Sequence, residues 1–276
     1  MKIIGLLGAM LVGSLPMAPL QAASAPQTVS FKSGDSEVRA LLYKPRGKGP
    51  FPTLLFNHDA ARDVINAQTF KLMGPMFAAR GWVYFAPYGR GPGAKSDGEP
   101  RLVDIAEATR RRGGGAAATR VVARLLSTEE LQDQMAALDW LKAQPFVRPS
   151  QIAALGSSYG GMATVLGAAN GNYCAAVDAA GGADNWHANS SLSKLMTESA
   201  QRSMAPILFL QAENDFTIAP SRTLYEAMKA ADKPAEIHIY PAYGTSRAEG
   251  HSFASLGANI WFNDVMRFLQ AHCSPK

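Results

Sequence analysis

Residues 152–169 constrain the fold more than any other stretch of the chain. Ile152, Ala153, Ala154 and Leu155 form a short, continuously apolar run, as expected of a parallel strand buried on both faces. Residues 161–169 are small and apolar, as expected of a buried helix. Between them, Gly156-Ser157-Ser158-Tyr159-Gly160 leaves a few residues for the reversal from strand to helix. A G-x-S-x-G pattern in that setting puts its serine, Ser158, on a sharp strained corner that stands clear of the sheet. Side chains at the two glycines would collide with the neighbouring strand and helix. The backbone N–H after the serine then points toward a developing oxyanion. The pattern is short and built from common residues, so its weight comes from the strand before it and the helix after it.

The rest of the chain repeats that alternation. Strands are expected at residues 28–31, 38–43, 53–56, 82–86, 175–178, 207–210 and 237–240. Helices are expected at 67–80, 127–144, 190–204, 221–231 and 255–271, the first with a blemish at Pro75. Strands alternating with helices imply an α/β fold: a mostly parallel twisted sheet of about eight strands, covered by helices on both faces. Residues 88–127 fit this pattern least. Gly89, Gly91, Gly93 and Gly98 read as a loop, and Gly113-Gly114-Gly115 as the breaker of a polar helical piece ending in Arg110-Arg111-Arg112. This stretch is expected to be a loop or small cap running over the top of the sheet.

Composition bounds the class. The chain has 276 residues, 47% hydrophobic and 18% charged, which fits one globular α/β domain over residues 25–276. The net charge is +5, with no basic stripe interleaved with aromatics, so a nucleic-acid partner is not expected. No cysteine–histidine cluster has zinc spacing, and no metal or other cofactor is expected. Residues 1–24 differ from the rest. Lys2, an apolar run over residues 3–12 and the small residues Ala22, Ala23, Ser24 and Ala25 read as a signal peptide. Cleavage is expected between Ala22 and Ala25, with Pro26 opposing a cut directly after Ala25. The apolar run is too short to span a bilayer, and no cysteine follows it to carry lipid, so no stable membrane anchor is expected. The expectation is export, to a periplasm or the medium. Cys174 and Cys273 either form one disulfide or remain two separate thiols.

A serine hydroxyl needs a general base, and the base needs an orienting acid. Of the five histidines, His251 alone lies in a loop after the last strand and follows both the serine and a candidate acid. The acid is expected in the loop after residues 207–210. Asp215 is the first choice there and Glu213 the second, with Asp178 and Asp184 more distant alternatives. The backbone N–H groups of Tyr159 and Asp59 are the expected oxyanion donors, with Ala60 as a substitute for Asp59. His58 is expected to hydrogen-bond its own loop. Tyr88, Trp186, Phe216 and Phe253 fall in loops at the expected rim, where they either line an acyl or alcohol pocket or pack the loops.

These residues resemble the α/β-hydrolase superfamily, on the branch shared by dienelactone hydrolases and prolyl-oligopeptidase-type catalytic domains. Residues 147–152 leading into Gly156–Gly161 resemble that branch's approach to its nucleophile. Phe56-Asn57-His58 resembles its oxyanion strand, Pro87-Tyr88-Gly89-Arg90-Gly91 its loop after the fourth strand, and Glu249-Gly250-His251-Ser252-Phe253 its histidine loop. The resemblance covers nearly everything after the signal peptide and implies a Ser158–Asp215–His251 triad. The best-known dienelactone hydrolases use cysteine where this chain has Ser158, so their substrate is not carried over. Asp59 and Ala60 stand where small residues such as glycine are common. Arg110 to Gly115 has no counterpart in the family.

The resulting expectation is a serine hydrolase acting on a small ester. A peptidase or amidase of the prolyl-oligopeptidase type is the alternative within enzymes, and a non-catalytic hydrolase-fold binding protein the alternative outside them. Activity should fall below about pH 6.5 as His251 protonates, taking the ordinary histidine value. A rate profile that stays flat through that range would remove His251 as the base.

Overall fold

The computed structural model describes residues 25–59, 68–90, 102–183 and 186–274. The expected signal peptide, Ala60 and Asp184 lie outside them. Eight strands form one sheet: β1 (Gln27–Ser33), β2 (Ser36–Tyr43), β3 (Phe51–Asn57), β4 (Val83–Arg90), β5 (Val147–Ser157), β6 (Ala176–Ala179), β7 (Ile207–Ala212) and β8 (Ala235–Tyr240). Their order is β1-β2-β4-β3-β5-β6-β7-β8. β1, β2 and β4 pair antiparallel, and every pairing from β4 through β3 to β8 is parallel.

The central strands alternate between two apolar layers, which explains why they read as continuous hydrophobic runs. Leu55, Phe85, Ala154 and Phe209 face one core, together with Val122, Leu138, Leu166, Met196 and Leu224 from the helices that cover it. Leu54, Tyr84, Leu155 and Leu208 face the other, with Phe70, Phe77, Phe253, Trp261 and Phe268. The first layer is α2 (Leu102–Ser127), α3 (Glu129–Lys142), α4 (Tyr159–Asn170), α5 (Ser191–Gln201) and α6 (Ala219–Ala230). The second is α1 (Gln68–Ala79), α7 (Arg247–Leu256) and α8 (Ala258–Cys273). No helix among the described residues is long and apolar enough to cross a membrane.

Two expectations change. Residues 102–127, expected within a loop or small cap that contains a polar helical piece, form α2, two helical pieces joined at a kink, which pack against α3, α4 and α5. Ala118, Val122 and Leu126 recur at helical spacing after the kink and are buried, as is Ala106 before it. The glycine run breaks the helix at Gly114 alone (φ 77°, ψ 179°). Thr128 precedes α3 but makes no side-chain cap, because its hydroxyl donates to the Arg124 carbonyl of the helix before it. The expected terminal helix is two helices parted at Gly257, where a Cβ would come within 2.4 Å of the Phe253 ring.

Cys174 and Cys273 form a disulfide across a sequence separation of 99, tying the end of α8 to the segment that enters β6. Beside it, Gln151 Nε2 donates to the Cys273 carbonyl at 2.5 Å.

Candidate active site

β5 runs into α4 through one residue, and the geometry of that corner rests on its glycines. Ser158 has φ 54° and ψ −114°, a left-handed conformation that costs a non-glycine residue of order 1–3 kcal/mol. A Cβ on Gly156 would lie 2.0 Å from the Gly160 carbonyl oxygen. One on Gly160 would lie 1.9 Å from the carbonyl oxygen of Asn57 on β3. The elbow therefore closes only with glycine at both places. Ser158 N–H donates to the Ala179 carbonyl at the end of β6 (2.9 Å), and the Ser158 carbonyl accepts from Met162 N–H (3.2 Å).

Ser158, His251 and Asp215 come together from three separate segments. His251 Nε2 lies 2.9 Å from Ser158 Oγ. His251 Nδ1 lies 2.9 Å from Asp215 Oδ1 and 3.1 Å from Oδ2. A carboxylate only accepts, so Nδ1 carries the proton and Nε2 accepts from the serine hydroxyl. The Asp215 side chain is fully buried and that of His251 is 19% exposed. Phe216 N–H donates to Asp215 Oδ1 at 2.6 Å and Gln211 Nε2 to Oδ2 at 2.8 Å. A hydroxyl, an imidazole and a buried carboxylate in series allow the ring to take the hydroxyl proton while the carboxylate balances the new charge.

His251 is on α7, not in a loop. Ser246 caps that helix: its hydroxyl accepts from Glu249 N–H, and the Glu249 carboxylate accepts from Ser246 N–H. The same carboxylate accepts from Thr245 N–H, and these bonds hold its pKa down to about 2. The spacing Ser246-x-x-Glu249 is the sequence signal for this helix start. Gly250 lets the helix approach the acid loop, since a Cβ there would meet Asn214 within 2.6 Å.

The remaining expected residues divide. Tyr159 is the first residue of α4, so its N–H lies at the positive end of that helix. Asp59 follows β3, and its carboxylate accepts from Ser255 Oγ (3.0 Å), which also meets Ser157 Oγ at 3.1 Å. His58 bonds within its own loop as expected, its Nδ1 2.5 Å from the Asp59 carbonyl. Phe216 is 41% exposed, with its ring 5.4 Å from the His251 ring. Trp186 is half-buried against the core that holds α5. Tyr88 and Phe253 do not reach the rim. Tyr88 is buried with the Arg39 guanidinium over its ring, and Phe253 packs against Tyr240 and Tyr243. The alternative acids are elsewhere: the Glu213 carboxylate accepts from Ala242 N–H, and Asp178 accepts from Gly181 N–H at 2.8 Å.

Asp178 lies on β6 beneath the elbow. It is fully buried, and Oδ2 has no hydrogen-bond partner among the described residues. Burial pushes its pKa up to about 7, partly opposed by the Gly181 hydrogen bond. In the unfolded chain an aspartate titrates near 3.9. The folded state thus keeps a proton that the unfolded state releases, and stability falls as pH rises between about 4 and 7. Asp178→Asn cannot ionise. Its stability relative to the natural chain is expected to improve by on the order of 3–4 kcal/mol between pH 4 and pH 8. Urea midpoints at the two pH values measure this, and a pH-independent difference would refute it.

Residues 38–267 match the model of the dienelactone hydrolase family. The chain belongs to that family. Comparison with curated proteins gives no match. Among solved structures, this family member is similar to the acylaminoacyl peptidase of Pyrococcus horikoshii, with 20% identity and a TM-score of 0.67 over 93% of this chain and 43% of that one. It is similar to a puromycin-hydrolyzing peptidase of Mycobacterium tuberculosis, with 17% identity and a TM-score of 0.62 over 95% of this chain and 42% of that one. It is also similar to the acetyl xylan esterase of Paenibacillus sp. R4, with 16% identity and a TM-score of 0.59 over 94% and 87%. The chain spans less than half the length of the two peptidases. At these identities the likeness establishes the α/β-hydrolase fold, and the family establishes a hydrolase.

Proposed function

We propose that this family member is a serine hydrolase that cleaves an ester of a small molecule through an acyl-enzyme intermediate. The observation that carries the reading is the unbroken series from Ser158 Oγ through His251 to buried Asp215, with contacts of 2.9 Å at both ends of the ring. Ser158 Oγ attacks the carbonyl carbon as His251 Nε2 takes its proton. Asp215 holds the imidazole tautomer and balances the imidazolium. The backbone N–H groups of Tyr159 and Asp59 stabilise the oxyanion. His251 then protonates the leaving alcohol, and water, activated by the same ring, releases the acid from Ser158. Phe216, exposed beside His251, walls the approach. The ester reading is supported by the family, whose name refers to a lactone, a cyclic ester.

The peptidase reading draws its support from the two peptidases of the same fold. A fluorophosphonate probe together with a panel of short-chain esters and aminoacyl amides separates the readings. Labelling of Ser158 with turnover of esters alone is expected. Turnover of amides alone would replace the ester reading, and an unlabelled, inert protein would favour a binding role.

We further propose that the protein is exported after loss of its N-terminal residues. The signal-like leader and the Cys174–Cys273 disulfide, a bond suited to oxidising compartments, support this. N-terminal sequencing of the mature protein should begin between residues 23 and 25. An intact Met1 in the mature protein would oppose it.

A further inference from the structure

β7 ends in a buried amide that no step above uses. Gln211 is fully buried, and all of its polar atoms are engaged. Nε2 donates to Asp215 Oδ2 and to the Thr217 carbonyl, both at 2.8 Å. Oε1 accepts from Ser221 Oγ of α6 at 2.7 Å. The orientation of the amide is forced. A carboxylate and a carbonyl only accept, so the reverse orientation would set three acceptors against one another. Ser221 is itself buried, at the start of a helix with Pro220 in its first turn. The loop that carries Asp215 is thereby held from β7 on one side and from α6 on the other.

We propose that Gln211 is the positioning residue of the acid, and this rests on the reading of Ser158 as nucleophile. The Asp215 carboxylate has two oxygens to place. Phe216 N–H holds Oδ1 and Gln211 holds Oδ2, so the group cannot turn about its Cβ–Cγ bond without losing both. In that fixed setting it meets His251 Nδ1 and aims Nε2 at Ser158. The amide donates without adding charge beside Asp215, the carboxylate that meets the ring. The groups facing the amide are Asp215 and Thr217 from its own loop and Ser221 from α6. Ile239 is its neighbour on β8, and His251 of α7 is reached through Asp215.

Glutamate has nearly the shape of glutamine, and its protonated form can donate to Asp215 as the amide does. Ionised, it sets a second carboxylate against the first. The rate of covalent labelling of the full chain by a fluorescent fluorophosphonate, followed from pH 5 to pH 9, reads this without an identified substrate. The natural chain is expected to rise to a plateau as His251 loses its proton. Gln211→Leu should label roughly 10- to 100-fold more slowly at every pH, the scale of a small misplacement of reacting groups. Gln211→Glu should label faster than Gln211→Leu at low pH, then decline at high pH as the introduced carboxyl ionises, giving a bell in place of the plateau. Ser221→Ala keeps the amide and removes its anchor, and should slow labelling several-fold; it covers the case in which Gln211→Leu fails to fold. A plateau retained in Gln211→Glu, or labelling of both other variants at the natural rate, overturns the proposal while leaving Ser158 as nucleophile. A natural chain that does not label at all removes the nucleophile reading and this one with it.

Discussion

Ser158→Ala is expected to lower kcat on a simple ester such as p-nitrophenyl acetate by on the order of 10⁴-fold or more. On the proposed mechanism the loss is large because the substitution removes the atom that forms the acyl bond. His251 Nε2 would then face a methyl group where it now meets a hydroxyl at 2.9 Å. The fold should tolerate the change, since Ser158 contributes its strained backbone, and not its hydroxyl, to the hydrogen bonds that hold the elbow. In that mechanism the three residues act as a unit, so effects should not add. His251→Ala in the Ser158→Ala background should cost little more than either alone. Steady-state kinetics on the three variants decide this. A Ser158→Ala enzyme within tenfold of the natural rate would move the nucleophile elsewhere.

Removal of the disulfide is expected to have the largest effect on stability. A cross-link across 99 residues restricts the unfolded chain, and the loop-entropy model gives about 4.7 kcal/mol for a loop near that length. Cys174→Ala with Cys273→Ala should lose about 2–5 kcal/mol and lower Tm by on the order of 5–15 °C. Labelling of Ser158 in the folded variant should be unchanged. The disulfide sits where the chain enters β6, and Ser158 N–H bonds to Ala179 at the opposite end of that strand. Thermal melts under non-reducing conditions test the stability claim, and a Tm within about 2 °C of the natural chain would refute it.

The strands were legible because a parallel sheet covered on both faces needs uninterrupted apolar residues, as in residues 152–155 and 207–210. The elbow was legible because its close approaches admit only glycine at Gly156 and Gly160. Asp215 and His251 could be placed because chain order limits which carboxylate and which imidazole follow the serine. Other features carry weaker marks in sequence. α2 buries mostly alanine and a few aliphatic residues on a narrow face, and its arginines and glycines hide that face. Residues read as loop aromatics divide by the element that holds them: Phe216 is in a loop and exposed, whereas Tyr88 on β4 and Phe253 on α7 turn inward. Buried polar residues are harder still. Gln211 and Asp178 sit in apolar strands, and only the groups that the fold brings beside them account for their presence there.

The distances that join Ser158 to His251 and His251 to Asp215 span 93 and 36 positions of sequence. His251 lies on α7, which follows β7 and β8 in the chain, so the series is complete only once the chain extends past residue 251. Partly made chains that end before residue 251 hold Ser158 without its base. For the exported hydrolase proposed above, a chain still incomplete in the compartment where it is made carries no complete series.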